Sequence, residues 1–142
     1  MTRKPTKELS NILTDTALLA ACPDLPDWST IWHIEERDLV PGKDIVAVFT
    51  PFLLHLLHQG LTRKTFNLHR DNLWTLGGKL VSDLYDTPKL RRRPAIEWIM
   101  SAVDGGQGPL MHGGRISEQE QRRFDSTCKK LYRFLTISQH QP

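Results

Sequence analysis

Only two cysteines, Cys22 and Cys128, occur in 142 residues. Two thiols exclude a disulfide framework, and both are expected to stay reduced in a cytosol-like compartment, Cys128 as a small core residue. An unbroken apolar run of the roughly 18 residues needed to span a bilayer is also missing. Leu19-Ala20-Ala21-Cys22, preceded by Arg3 and Lys4, imitates a lipoprotein cleavage box. Glu8, Asn11, Thr14, Asp15 and Thr16 interrupt the apolar segment that such a signal requires. The expectation is a cytoplasmic protein with no membrane partner.

Signatures of catalysis are scarce as well. Gly108 and Gly113 have the spacing of a phosphate-binding loop, but Gly114 and Arg115 stand where that loop needs Lys and Ser/Thr. The stretch 104–114, with five of the nine glycines, reads instead as a connector. His55 and His58 lie three apart on a helix, close enough to share a metal, yet no further ligands accompany them; a surface or interface pair is expected, and no metal. There is no HExxH, no paired CxxC and no activated nucleophile in a recognisable context. The sequence therefore points away from an enzyme and calls for no cofactor.

What is present is helical periodicity. Residues 8–21 put Leu9, Ile12, Leu13, Ala17 and Ala20 on one face, and the helix must end before Pro23. Residues 22–42, with Pro23, Pro26, Pro41 and Gly42, read as an irregular arm that Trp28 and Trp32 pin to the core. From Asp44, the residues Ile45, Phe49, Phe52, Leu53, Leu56 and Leu57 follow helical spacing up to Gly60. Pro51 implies either a kink or a new helix capped by Thr50. Thr62 then caps a helix over 62–85 whose stripe is Phe66, Leu73, Leu76, Leu80 and Leu84, with His69 in an apolar place. Gly77 and Gly78 inside it cost about 1 kcal/mol each relative to alanine, which predicts a neighbouring helix approaching closely there without side chains in the way, or a bend. Ile96, Ile99 and Val103 mark a shorter helix at 95–103. The last helix opens with a Ser117/Glu120 capping box and buries Phe124, Cys128, Leu131, Tyr132 and Leu135, with a frayed tail from Thr136. The fold class expected is all-α: one domain over 1–142, a compact bundle of about five helices. Residues 1–42 form its first helix and arm, 43–135 its core and 136–142 its tail.

Charge is unevenly placed. Residues 1–61 hold 5 Lys/Arg against 8 Asp/Glu, 62–93 hold 8 against 3, and 115–142 hold 6 against 3. Two basic blocks suggest a directed electrostatic surface. Thr62, Arg63, Lys64, Thr65, Asn67, His69 and Arg70 crowd one helix start, where backbone donors add to the cations. Lys89, Arg91, Arg92 and Arg93 come after that helix, and Arg115, Arg122, Arg123, Lys129, Lys130 and Arg133 belong to the last block. Clusters of this size can neutralise several phosphates, and Ser, Thr, Asn and His types can reach backbone or base edges.

The run "IVAVFTPFLLHLLHQGLTRKTFNLHRDNLWTLGGKLV" resembles the opening of the N-terminal core-binding domain of phage-integrase-type tyrosine recombinases. Phe49, Phe52, Leu53, Leu56, Gly60, Leu61, Thr62, Thr65, His69, Leu73 and Leu76 carry the likeness, across roughly a quarter of the chain. The resemblance implies a four- or five-helix domain that grips DNA through helix starts and basic faces, in a bacterial or mobile-element setting. The family's catalytic domain does not fit in the rest of the chain: His112-Gly-Gly-Arg115 and Tyr132 imitate part of its set, without the first arginine's context. The expected function is non-catalytic nucleic-acid binding, DNA before RNA. The competing expectation is a protein-interaction or regulatory module, such as an antitoxin-like or phage-defence component or a homodimer, anchored by one of the tryptophans.

Overall fold

The computed structural model describes residues 16–109 and 116–140. Among them all regular structure is helical: α1 (Thr16–Ala21), α2 (Trp28–Trp32), α3 (Leu39–His58), α4 (Arg63–Asp86), α5 (Ala95–Ala102) and α6 (Glu118–His140). Four 3-10 turns join them, at Leu25–Asp27, Glu36–Asp38, Pro88–Arg92 and Asp104–Gly106. The first half of the helix expected over 8–21 lies outside the described residues.

The long helices α3 and α4 form an antiparallel hairpin. Gly60, at φ 73°, turns the chain, and the Thr62 hydroxyl accepts the Thr65 amide at 3.1 Å to start α4 as expected. α3 is longer than its apolar stripe suggested, because Pro41 and Gly42 sit in its first turn, where a missing amide costs nothing. Gly42 is buried there: a Cβ would stand 3.1 Å from that of Ser29, so α2 crosses α3 closely. Pro51 lies inside a continuous helix; Thr50 caps nothing, and its hydroxyl donates back to the Val46 carbonyl at 2.7 Å. By length and composition alone Glu36–His58 is long and apolar enough to cross a membrane, although charges interrupt its apolar run. In this fold its apolar face, Ile45, Phe49, Phe52, Leu53 and Leu56, lies in the bundle core.

The arm over 22–42 is neither irregular nor peripheral. Its Cys22, Leu25 and Trp28 are completely or almost completely buried and belong to the same core as Leu73, Leu80, Ile99 and Leu131. Trp32 explains the glycine pair. Its indole lies flat on α4, so that a Cβ at Gly77 would come within 2.3 Å of the ring and one at Gly78 within 3.4 Å. Its Nε1–H donates to the Trp74 carbonyl at 3.0 Å. The close neighbour is thus a tryptophan side chain rather than a helix backbone. At the far end, the chain expected to fray from Thr136 is helical as far as His140.

Gly77 and Gly78 should respond oppositely to alanine. Gly77→Ala must displace the Trp32 ring and is expected to cost about 2–3 kcal/mol by overpacking. Gly78→Ala meets only ordinary contact and should be neutral or stabilising by up to about 1 kcal/mol from helix propensity. Urea unfolding of both variants beside the parent chain checks the contrast.

Candidate nucleic-acid interface

The helices divide the basic residues into two sets, one turned inward to carboxylates and one left facing solvent. Arg91 heads the first. Its side chain is 14% exposed and its Nη2 donates to Asp38 Oδ1 at 2.5 Å, with Glu35 Oε2 at 3.7 Å. Nη1 donates to the Leu84 carbonyl at 3.2 Å, near the end of α4. Asp38, almost fully buried, accepts the Ile34 and Glu35 amides on its other oxygen. Burial alone would raise its carboxyl, but these amides and Arg91 together hold it below the ordinary carboxylate value. The cluster pins the start of α3 to the end of α4.

Arg70 is engaged in the same way. Its guanidinium pairs with Asp24 and with Asp71 and lies 5.8 Å from the Trp28 ring centre. Asp24 also accepts the Trp28 indole N–H at 2.9 Å. Burial pushes the Asp24 carboxyl up, and the Arg70 and Trp28 bonds more than reverse that. Arg93 reaches Ser101 Oγ at 3.1 Å. His69, expected on the basic surface, is buried, with Nδ1 2.7 Å from the Thr127 hydroxyl. Burial, with the Lys130 charge nearby, lowers its pKa, so the ring is neutral at pH 7. His69 is therefore inside the fold rather than on its surface, Arg91 is committed to buried Asp38, and Arg70 is engaged by two carboxylates that are themselves partly or well exposed. Thr62 caps α4 by accepting the Thr65 amide and donates its hydroxyl to that of Thr65, and Asn67 is half-buried. Arg115 lies outside the described residues.

The second set is gathered by the packing of α6 on α4. Asn72 Nδ2 donates to Thr127 Oγ1 at 2.9 Å and to the Arg123 carbonyl at 3.2 Å, while His69 meets Thr127. Rising numbers on α4 thus meet falling numbers on α6, and the pair is antiparallel. Continued one turn, this register sets exposed Arg63 and Lys64 at the same end as Lys130 and Arg133. On α6 itself, Arg122, Arg123, Ser126, Lys129, Lys130, Arg133 and Ile137 are all exposed and, at 3.6 residues per turn, fall within an arc of about 120°. No acidic residue shares that arc. Arg122 approaches Glu118 at 3.8 Å, both well exposed; Arg123, Lys129, Lys130 and Arg133 form no salt bridge among the described residues. Asp125 points elsewhere, accepting the Gly108 amide and the Gln121 side chain.

Lys89 and Arg92 are exposed too, but they lie past the opposite end of α4 from Arg63, a helix of 24 residues about 36 Å long. There they line a cleft with Arg37, Pro88 and Arg91. The basic residues expected to act together form one extended face and one separate group.

No protein family, curated protein or solved structure matches the chain. Its surface chemistry is therefore read from its own residues. Both thiols are buried: burial pushes Cys22 up to about 11 and Cys128 up to about 12, which leaves them protonated and unreactive at neutral pH. Among the described residues no group of three or more His, Cys, Asp or Glu side chains could hold a metal. Sequence reading overlooked Asn72 and Thr127, which set the α4–α6 register. The available signal was a row of polar residues, His69, Asn72 and Thr127, at positions bordering or inside apolar stripes.

Arg91→Gln should destabilise the protein by about 3 kcal/mol, because Asp38 would be left buried without its cation; Arg92→Gln should be neutral in the same urea titration. His69 supplies a pH test. Its folded pKa lies below the unfolded value of 6.5, so the unfolded chain binds the extra proton. Stability should be full above about pH 6.5 and fall as pH drops below it, well before Asp24 and Asp38 titrate. His69→Gln should flatten that slope between about pH 7 and 5, as read from unfolding free energies at each pH.

Proposed function

We propose that this is a non-catalytic nucleic-acid-binding protein, with DNA the favoured partner, and that the exposed face of α6 together with the start of α4 is its contact surface. One observation carries the reading: five cations share an acid-free arc of α6, four of them without a carboxylate partner, and Arg63 and Lys64 lie at the end where Lys130 and Arg133 stand. A solvated helix face usually alternates charges and pairs them at i, i+4. Here the carboxylates are drawn inward to Arg70 and Arg91, and the outer cations are left to an external anion. A line of phosphates supplies that anion, with release of its counterions as the drive. The resemblance of residues 45–85 to recombinase core-binding domains accords with this reading, as does a cytoplasmic setting in which both cysteines remain thiols.

A second reading, a protein-interaction module, has one observation in its favour. Trp28, Trp32 and Trp98 are buried, but Trp74 is 39% exposed, and Ile31 and Tyr85 are exposed apolar side chains as well. It predicts a partner lost on Trp74→Ala and indifferent to the α6 cations.

Fluorescence anisotropy of a labelled duplex of about 30 base pairs across a salt series tests the first reading. The logarithm of affinity should fall linearly with that of salt, and the slope should shrink by roughly 0.9 for each phosphate contact removed. Arg123→Gln, Lys130→Gln and Arg133→Gln combined should abolish most of the binding, whereas Lys89→Gln with Arg92→Gln, at the far end of α4, should leave most of it. No binding at low salt, or a triple variant that binds like the parent, would overturn the proposal.

A further inference from the structure

Where α6 crosses the C-terminal half of α3, a solvent-open cleft of about 420 Å³ borders the basic face. Its two sides differ in chemistry. The floor is Phe52, Leu56 and Phe134, and Ile137, 60% exposed, forms one wall. Phe134 packs against Phe52 at 5.5 Å between ring centres and against His55 at 5.0 Å, with the His55 and Phe134 planes only 36° apart. The rim holds Lys130 and Arg133, neither in a salt bridge among the described residues, with His55 and Gln59 opposite. Gln59 Nε2 lies 3.2 Å from His55 Nε2, which leaves the Gln59 carbonyl oxygen available to a donor.

A ligand suited to this cleft has an anion at one end, a flat apolar body at the other and hydrogen-bonding edges between. Bulk water leaves Phe134 and Ile137 unsatisfied, and an aliphatic anion would use the cations without the rings. We infer that the cleft binds one nucleotide unit, its phosphate between Lys130 and Arg133 and its base against the Phe134–His55 surface. Where the nucleotide belongs to a strand, the inference rests on the nucleic-acid reading above and deepens it: the face of α6 holds backbone phosphates, and the cleft takes a base that is unpaired. Stacking of a base on an aromatic surface tolerates any sequence, so the expected preference is for single-stranded ends over blunt duplex, not for a sequence. A base inside a duplex cannot reach the floor without leaving its stack.

The test uses the full chain with three probes: a blunt duplex, the same duplex with a short overhang carrying 2-aminopurine, and free dAMP. The expected results are roughly five- to tenfold tighter binding of the overhang than of the blunt duplex, with quenching of 2-aminopurine. His55→Ala, an exposed substitution on α3 outside the basic face, should remove the preference and the quenching while blunt-duplex binding persists. Equal binding of blunt and overhanging duplex without quenching would overturn the cleft assignment and leave the DNA reading standing. Binding of dAMP in calorimetry, lost in His55→Ala, with no duplex binding would support the cleft as a mononucleotide site and overturn the duplex reading. Failure of all three probes would overturn both.

Discussion

Trp32 lies on the bare backbone of α4 at Gly77 and Gly78 and hands its indole proton to the Trp74 carbonyl. Much of the architecture depends on that contact. Two mid-helix glycines cost α4 about 2 kcal/mol in propensity, a loss that burial of a tryptophan can offset. With the ring seated, α2 is held against α4, and the Ser29 backbone is brought onto Gly42 of α3. Trp28, 5.6 Å from Trp32, is drawn into the core, and Asp24 with it toward Arg70. A segment rich in proline thereby becomes a wall of the bundle.

Charge is organised by the same packing. Asp24–Arg70 and Asp38–Arg91 tie the segments before α3 to the first half of α4 and to the turn that follows it. Both pairs are partly shielded from water, and a cation missing from either would leave a desolvated carboxylate. The acidic N-terminal region and part of the basic block after it thus neutralise each other within the fold. The cations of α6 have no such counterpart. Their helix rests on α4 through the His69–Thr127–Asn72 contacts, and those polar contacts specify a register that an apolar seam alone would leave looser. That register brings the start of α4 and the second half of α6 to one end of the molecule, next to the aromatic cleft.

A good deal of this was legible beforehand, because it is local. The Thr62 cap, the Gly60 stop, the Ser117/Glu120 capping box and the apolar stripes of α3, α4 and α6 are decided by residues three or four apart. The glycine pair announced a close neighbour for the same reason. Misreadings arose where partners are remote in sequence. Arg91 looked like its neighbours Arg92 and Arg93, and its pairing with Asp38, 53 residues away, makes it structural. His69 looked like a surface contact because its partner Thr127 is 58 residues on. The arm looked irregular because proline and glycine were taken as breaks, although the first turn of a helix accepts both.

The amino-acid sequence by itself determined the helical class, the hairpin of α3 and α4, most helix ends and the amphipathic face of α6, since periodicity and capping act within one or two turns. Tertiary structure alone decided which cations remain outside, because a charge is spent or free according to what packs against it, and that depends on chain segments folded together from far apart.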